Sequence, residues 1–291
     1  MTYLIKSGDY SEVFKNIIST IQGNKSTGSI AETLPDSLEG RAQQRVSNED
    51  ILHQQNMEDV LKGAAERLSA EAPNNPLQSI DPDWYRIVMN DVKDISNGEM
   101  KQIWSKLVAG EILRPKSYSL RAVQLLRSLS KDDAEIITKI APFTISDDSG
   151  KRMIIHGMED NSKWFKFDDL LFLDELRLLE TSSMVEMNWD FTNQVTDYSN
   201  CVMLNNGNVG INIFTNVKHY SIPVYTLTVI GNQIFSLIEG IKPNVDYFKS
   251  VLGELVTDGS CVCGHISETI KDIGFTFSDE IFKFGNKKSH V

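Results

Sequence analysis

Between positions 9 and 21 the chain places Tyr10, Val13, Phe14, Ile17, Ile18 and Ile21 at helical spacing, with Glu12, Lys15, Asn16 and Ser19 opposite them. That pattern predicts an amphipathic helix ending at residue 21. Residues 22–39 are rich in Gly, Ser, Thr and Asn around Pro35, the composition of a flexible linker. A second helix is predicted over 48–72, with Ile51, Leu52, Met57, Val60, Leu61, Ala64 and Leu68 as its apolar stripe. Pro73, Pro76 and Pro82 end it, and Asp81 before Pro82 reads as the N-cap of a third helix carrying Trp84, Tyr85, Ile87, Val88 and Val92. Ser96 stands three residues before Glu99, a capping-box spacing, and Met100, Ile103, Trp104, Leu107 and Val108 follow as a buried face. Ser119 opens a helix through Leu120, Val123, Leu126 and Leu129, and Ser130 with Asp133 caps a further one over 131–140. Residues 40–143 therefore read as a helical bundle with short turns.

Beyond Pro142 the period shortens. Strands are predicted at 151–156, 201–204, 209–216 and 220–226, with Asn206-Gly207 as a hairpin turn, and an apolar helix at 168–179. Thr228 begins a helix through Ile230, Ile234, Phe235, Leu237 and Ile238, and Tyr225-x-Leu227-Thr228-x-x-Gly231 resembles the turn that closes many winged helices. This order predicts a winged-helix-like module over 144–240. A helix at 245–255 and strands at 260–266 and 275–284 make 241–291 a small α+β cap. The expected fold class is α+β, mostly α: an N-terminal helical bundle, a winged-helix-like module and a C-terminal cap.

Composition narrows the function classes. The 291 residues, 41% of them hydrophobic, suffice for one large or two modest cores. The N-terminus lacks the basic-then-apolar order of a signal peptide, and no apolar run approaches the ~20 residues of a membrane helix. Cys201, Cys261 and Cys263 form an odd set without disulfide spacing, so free thiols and a cytoplasmic location are expected. The net charge of −11 divides into −4 over 1–118, −6 over 119–240 and −1 over 241–291. Duplex binding draws on counterion release to lysines and arginines, and no section here is basic. A nucleic-acid partner is not expected.

Candidate chemistry is sparse. Cys261, Cys263 and His265 could supply three zinc ligands, but one residue rather than two separates the cysteines, and an extended strand would merely set them on one face. His53, His156, His219 and His290 are isolated, and no nucleophile elbow occurs. The pairs Asp132/Asp133, Asp147/Asp148 and Asp168/Asp169 fall at helix starts or turns, where capping explains them. Trp84 and Trp104 sit on apolar helix faces and are expected in the core. Arg114, Lys116 and Arg121, with Arg127, Ser117 and Ser119 nearby, form the one basic patch that could receive an anion. No catalytic residue, cofactor or resident metal is predicted. The helix at 9–21 is the predicted contact surface, through Tyr10, Phe14, Ile17 and Ile21. Docking onto the chain's own core comes first, a partner groove second, and a membrane surface last because the polar face is poor in lysine.

The segment 95–110 (ISNGEMKQIWSKLVAG), continuing through Pro115, Ser117, Ser119 and Leu120 into Leu129-Ser130-Lys131-Asp132-Asp133-Ala134, resembles bacterial domain-of-unknown-function family 2806 over roughly residues 40–240. More distantly, the order of Leu129-Ser130…Ala134 and Leu227-Thr228…Gly231 is similar to that of the abortive-infection alpha proteins. The resemblance implies a bacterial or phage-borne protein with a role in antiphage defence, and it carries no catalytic residue to transfer. The function expected is that of a non-enzymatic interaction or regulatory protein acting through protein–protein contacts or homo-oligomerisation. The alternatives are a DNA-binding winged-helix regulator, which the acidic face of 168–179 opposes, and a metal-dependent hydrolase or nuclease assembled from scattered carboxylates.

Overall fold

Ser37 starts the first described helix: its Oγ accepts from the Gly40 N–H at 3.0 Å and its carbonyl from Arg41 N–H at 3.1 Å. The computed structural model describes residues 37–70, 80–157, 161–192, 200–257, 259–270 and 273–285. The helix predicted at 9–21, with Tyr10, Phe14, Ile17 and Ile21, and most of the predicted linker lie outside the described residues. Helix α1 (Leu38–Ala70) begins well before the predicted residue 48, so Leu38 and Glu39 are helical and not linker. The sequence hides this start because 38–47 carries no apolar stripe.

The chain divides into two units, Met1–Arg127 and Ser128–Val291. In the first, α1 is followed by α2 (Pro82–Val92), α3 (Gly98–Leu113) and α4 (Leu120–Ser128). Asp81 caps α2 by accepting from Asp83 N–H at 2.8 Å and Trp84 N–H at 3.3 Å, with Pro82 in the first turn. For α3 the cap is Asn97, which accepts from Met100 N–H at 3.0 Å, one residue beyond the predicted Ser96. Val60, Leu61, Ala64 and Leu68 of α1, Val88 and Val92 of α2, Trp104, Leu107 and Val108 of α3 and Val123 of α4 are fully or nearly fully buried. Trp104 exposes no surface. Its truncation to alanine would cost about 3–5 kcal/mol, the usual range for a large buried aromatic.

The second unit opens with α5 (Lys131–Ile140), held by a reciprocal capping box. Ser130 N–H donates to Asp133 Oδ2 at 2.6 Å, and Asp133 N–H donates to Ser130 Oγ at 3.2 Å. A 3₁₀ turn (Ala141–Phe143) leads into β1 (Thr144–Asp147) and β2 (Arg152–Ile155); then come α6 (Phe167–Glu175), β3 (Leu179–Asp190), β4 (Asn200–Asn206), β5 (Val209–Thr215) and β6 (His219–Leu227). Helices α7 (Val229–Leu237) and α8 (Val245–Leu255) precede the long hairpin β7 (Gly259–Ile270) and β8 (Gly274–Gly285). The eight strands among the described residues join one antiparallel sheet in the order β3-β6-β2-β1-β4-β5-β7-β8.

The fold is mixed α+β. The expected division between a winged-helix-like module at 144–240 and a cap at 241–291 is corrected here: β5 pairs with β7 at seven positions from Val209↔His265 to Thr215↔Gly259, so both segments share a sheet. Strands β1 and β3 were not predicted. Helix 168–179 is shorter than expected because α6 closes in a Schellman motif, with Arg177 at φ 59°, Arg177 N–H on Asp174 O at 2.8 Å and Leu178 N–H on Leu173 O at 2.8 Å. That position usually holds glycine, so an arginine there gives no stop signal. The Asn206-Gly207 turn does form, with Gly207 at φ 61°.

An aromatic group lies beneath the sheet: Phe143, Phe165 and Phe248 stand 5.2, 5.8 and 5.3 Å from Tyr247 in edge-on contacts. Tyr247 is fully buried, and its hydroxyl donates to the Ile155 carbonyl. At the hairpin tip Asn212 imitates a strand, donating to Phe275 O at 2.8 Å and accepting from Phe275 N–H at 2.9 Å.

Candidate functional site

The loop that carries Arg114 and Lys116 closes on a carboxylate of the protein itself. Glu111 lies on the inner face of α3 and is 3% exposed. Its Oε1 accepts from Lys116 N–H at 2.6 Å and its Oε2 from Tyr118 N–H at 3.0 Å. To present those amides the chain leaves α3 at Arg114 and takes a left-handed conformation at Lys116, φ 71°. The same loop offers the Tyr118 carbonyl to Trp84 Nε1 at 2.8 Å. Inward-facing amides that could hold an external anion are thus engaged by Glu111, while the side chains of Arg114, Lys116 and Arg121 are exposed. A second buried acid, Asp91, meets Arg127 Nη1 at 2.8 Å. Both interactions tie α3 and α4 to the loop between them and to α2.

The Leu227-Thr228-x-x-Gly231 sequence marks another junction. Thr228 Oγ1 accepts from Gly231 N–H at 3.0 Å and donates to Arg177 O at 2.6 Å, and Thr228 N–H donates to Leu178 O at 3.0 Å. A Cβ on Gly231 would stand 1.9 Å from the Leu178 carbonyl oxygen, which is backbone and cannot rotate aside. Asn232, one residue on, donates to Thr228 O at 2.9 Å and accepts from Arg152 N–H at 2.8 Å. The motif locks the end of α6, the start of α7 and the start of β2 together.

The sulfur and histidine positions separate. Cys261 and Cys263 have no exposed surface, and burial pushes the Cys263 thiol up to about 12 and that of Cys261 higher still. Cys201 is likewise pushed up to about 12 by burial. Protonated thiols are poor ligands. His265 is half-exposed and meets Asp279 through Nδ1 at 2.9 and 3.0 Å; hydrogen bonds from His265 and Ser278 hold that carboxyl below its ordinary range. Among the described residues no group of three His, Cys, Asp or Glu side chains could hold a metal ion. Each carboxylate pair has a member with a structural partner: Asp133 accepts from Ser130 N–H at 2.6 Å, Asp147 from Lys151 N–H at 2.9 Å, and Asp169 meets Lys139 Nζ at 2.6 Å.

Two features have no such explanation. Arg152 is half-buried at the start of β2, and its Nη1 is buried without a hydrogen-bond partner. In α1, no residue from 38 to 59 is buried, and Leu38, Val46, Ile51 and Leu52 are exposed.

Comparison with known families matches residues 40–252 to the family described as Protein of unknown function (DUF2806). The chain belongs to that family. No curated protein and no solved structure matches it. The DUF2806 match takes in α1 from Gly40 through most of α8 and stops short of the β7–β8 hairpin. Within the span matched to DUF2806, Glu111 binds the loop that follows α3, and Thr228 and Gly231 seat α7. No helix among the described residues is long and apolar enough to cross a membrane. Sequence reasoning passed over Glu111 although an acid inside the apolar run VAGEIL is a visible anomaly, and passed over Arg152 because its Lys151 neighbour made it look like a solvated strand end.

Proposed function

We propose that this chain is a non-enzymatic interaction protein whose helical bundle, α1 to α4, carries a self-association surface on the first half of α1. The observation that carries this reading is the unburied stretch 38–59, in which Leu38 is 70% and Leu52 56% exposed. Most helical stability in proteins comes from packing an apolar face, and here the exposed apolar side chains Leu38, Val46, Ile51 and Leu52 have no such cover among the described residues. The occupant we assign is a second copy of the same helix, running antiparallel. Arg41 and Arg45 precede Glu49 and Asp50 along the helix, so an antiparallel copy sets the basic end of each against the acidic end of the other. The acid-capped α6 and the net charge of −11 favour this over the DNA-reading alternative.

Light scattering on the full chain at tens of micromolar tests the assignment. The wild type is expected to run as a dimer and the Ile51→Glu, Leu52→Glu double variant as a monomer with unchanged circular dichroism. A monomeric wild type overturns it, and so does a dimer that survives both substitutions. The role in antiphage defence drawn from the abortive-infection alpha resemblance belongs to the same proposal. It is tested by plaque counts on a host with and without the gene, equal counts removing it.

A further inference from the structure

The second unit holds a cation with one buried nitrogen that meets no acceptor among the described residues. Arg152 opens β2, and while its backbone N–H is engaged by Asn232, its guanidinium Nη1 is buried without an acceptor among the described residues. Burial lowers its pKa from the ordinary arginine value with no carboxylate offsetting the effect. An arginine nevertheless stays protonated in proteins, so a desolvated guanidinium calls for an anion beside it. Neither acid of the preceding turn answers it: Asp148 is exposed in the β1–β2 turn, and Asp147 follows Ser146 in β1 and so points to the other face, where it accepts from Ser149 Oγ at 2.7 Å and Lys151 N–H at 2.9 Å.

The sheet register shows what does share Arg152's face. Arg152 lies directly opposite Ser146 on β1, and Ser146 directly opposite Asn205 on β4. Residues directly opposed in an antiparallel ladder point the same way, and strands lie about 4.8 Å apart, so the three form a row about 10 Å long across β2, β1 and β4. Ser146 is buried and Asn205 half-buried, which keeps the row largely out of bulk water. A guanidinium fork, a hydroxyl and a carboxamide are the donors that recognise carboxylate and phosphate oxygens.

We propose that Arg152, Ser146 and Asn205 form a binding site for a small oxyanion, the phosphate or carboxylate group of a small molecule. The site lies within one unit and does not depend on self-association through α1.

Isothermal titration of the full chain with inorganic phosphate, and separately with acetate, tests it and distinguishes the two groups. Saturable binding of one or both, weakened at least about tenfold in Arg152→Met and about threefold or more in Ser146→Ala, is the expected result. Arg121→Gln, on the exposed loop, leaves the titration unchanged. No saturable binding of either anion by the wild type overturns the proposal, as does binding that Arg152→Met does not weaken. Should Arg152→Met fail to fold, Arg152→Lys, which keeps the charge and loses the fork, replaces it, and undiminished binding in that variant and in Ser146→Ala is then the overturning result.

Discussion

Glu111 and Arg152 are charged side chains drawn into the protein, one in each unit, and they are held in opposite ways. Glu111 has both oxygens taken by amides of the loop that follows it. Arg152 has a buried nitrogen that no acceptor among the described residues receives. A charge whose partners are all internal fixes the backbone around it, whereas a charge left without one costs free energy in the folded state unless something from outside completes it. The same contrast runs through the two units. The helical unit closes its loops with side chains, Glu111 on Lys116 and Tyr118, Trp84 on Tyr118, Arg127 on Asp91. The sheet unit closes its main junction by the absence of one, at Gly231.

Substitutions at these positions should therefore differ in size and in sign. Gly231→Ala is expected to be the most damaging, because its Cβ meets a rigid carbonyl at 1.9 Å; either the sheet unit does not fold or it loses more than about 4 kcal/mol by urea unfolding. A loss below about 1 kcal/mol would mean that α7 can slide away from Leu178, and that the close approach is not what holds the junction. Glu111→Ala strands two loop amides and should cost about 3 kcal/mol, with faster hydrogen exchange confined to the Lys116 and Tyr118 amides and their neighbours. Unchanged exchange there would dissolve the distinction between the two charges.

Alkaline pH offers an intermediate effect that separates the units without mutation. All three cysteines are in the sheet unit, and those of Cys201 and Cys263 titrate in the folded protein near 12 against 9.0 for an ordinary thiol. Between those values the unfolded chain holds fewer protons than the folded one, so the stabilisation is complete below about pH 8 and is lost as pH rises toward 12. At 1.36 kcal/mol per pH unit for each group, Cys201 and Cys263 together should weaken the sheet unit by about 3 kcal/mol by pH 10, and Cys261 adds to that loss. The helical unit, which has no cysteine, should lag behind it in a hydrogen-exchange series. Simultaneous loss of both units would show that the thiols do not govern it. The smallest effect belongs to Arg152→Met, expected to lie within about 1 kcal/mol of wild type or to be more stable, since removing an uncompensated buried charge is commonly neutral or favourable. A loss above about 2 kcal/mol would reveal an internal partner for the guanidinium.

Local chemistry was the part of the molecule open to sequence reading. Asp81, Ser130 and Thr228 cap helices where their spacing placed them, the Asn206-Gly207 turn forms, and Trp84 and Trp104 are buried. What escaped was set by partners distant in the chain. β3 alternates too weakly to announce itself and gains its place by pairing with β6, while Arg177 ends α6 in a conformation that its side chain does not advertise. The separate modules expected at 144–240 and 241–291 could not be merged from sequence, because only the β5–β7 register does so. The same holds for the candidate sites: Arg152, Ser146 and Asn205 are neighbours through two ladders, and no linear spacing joins them.

The order of strands also bears on how the protein is made. β2 pairs with β6 and β5 with β7, so the centre of the sheet is not covered on both sides until chain far downstream has left the ribosome. Until then Ile211 and Ile213, fully buried in the finished protein, line an open strand flank during translation. A nascent chain stalled before Gly259 carries that flank into the crowded cell, which makes the late hairpin a guard against aggregation as much as an element of the sheet.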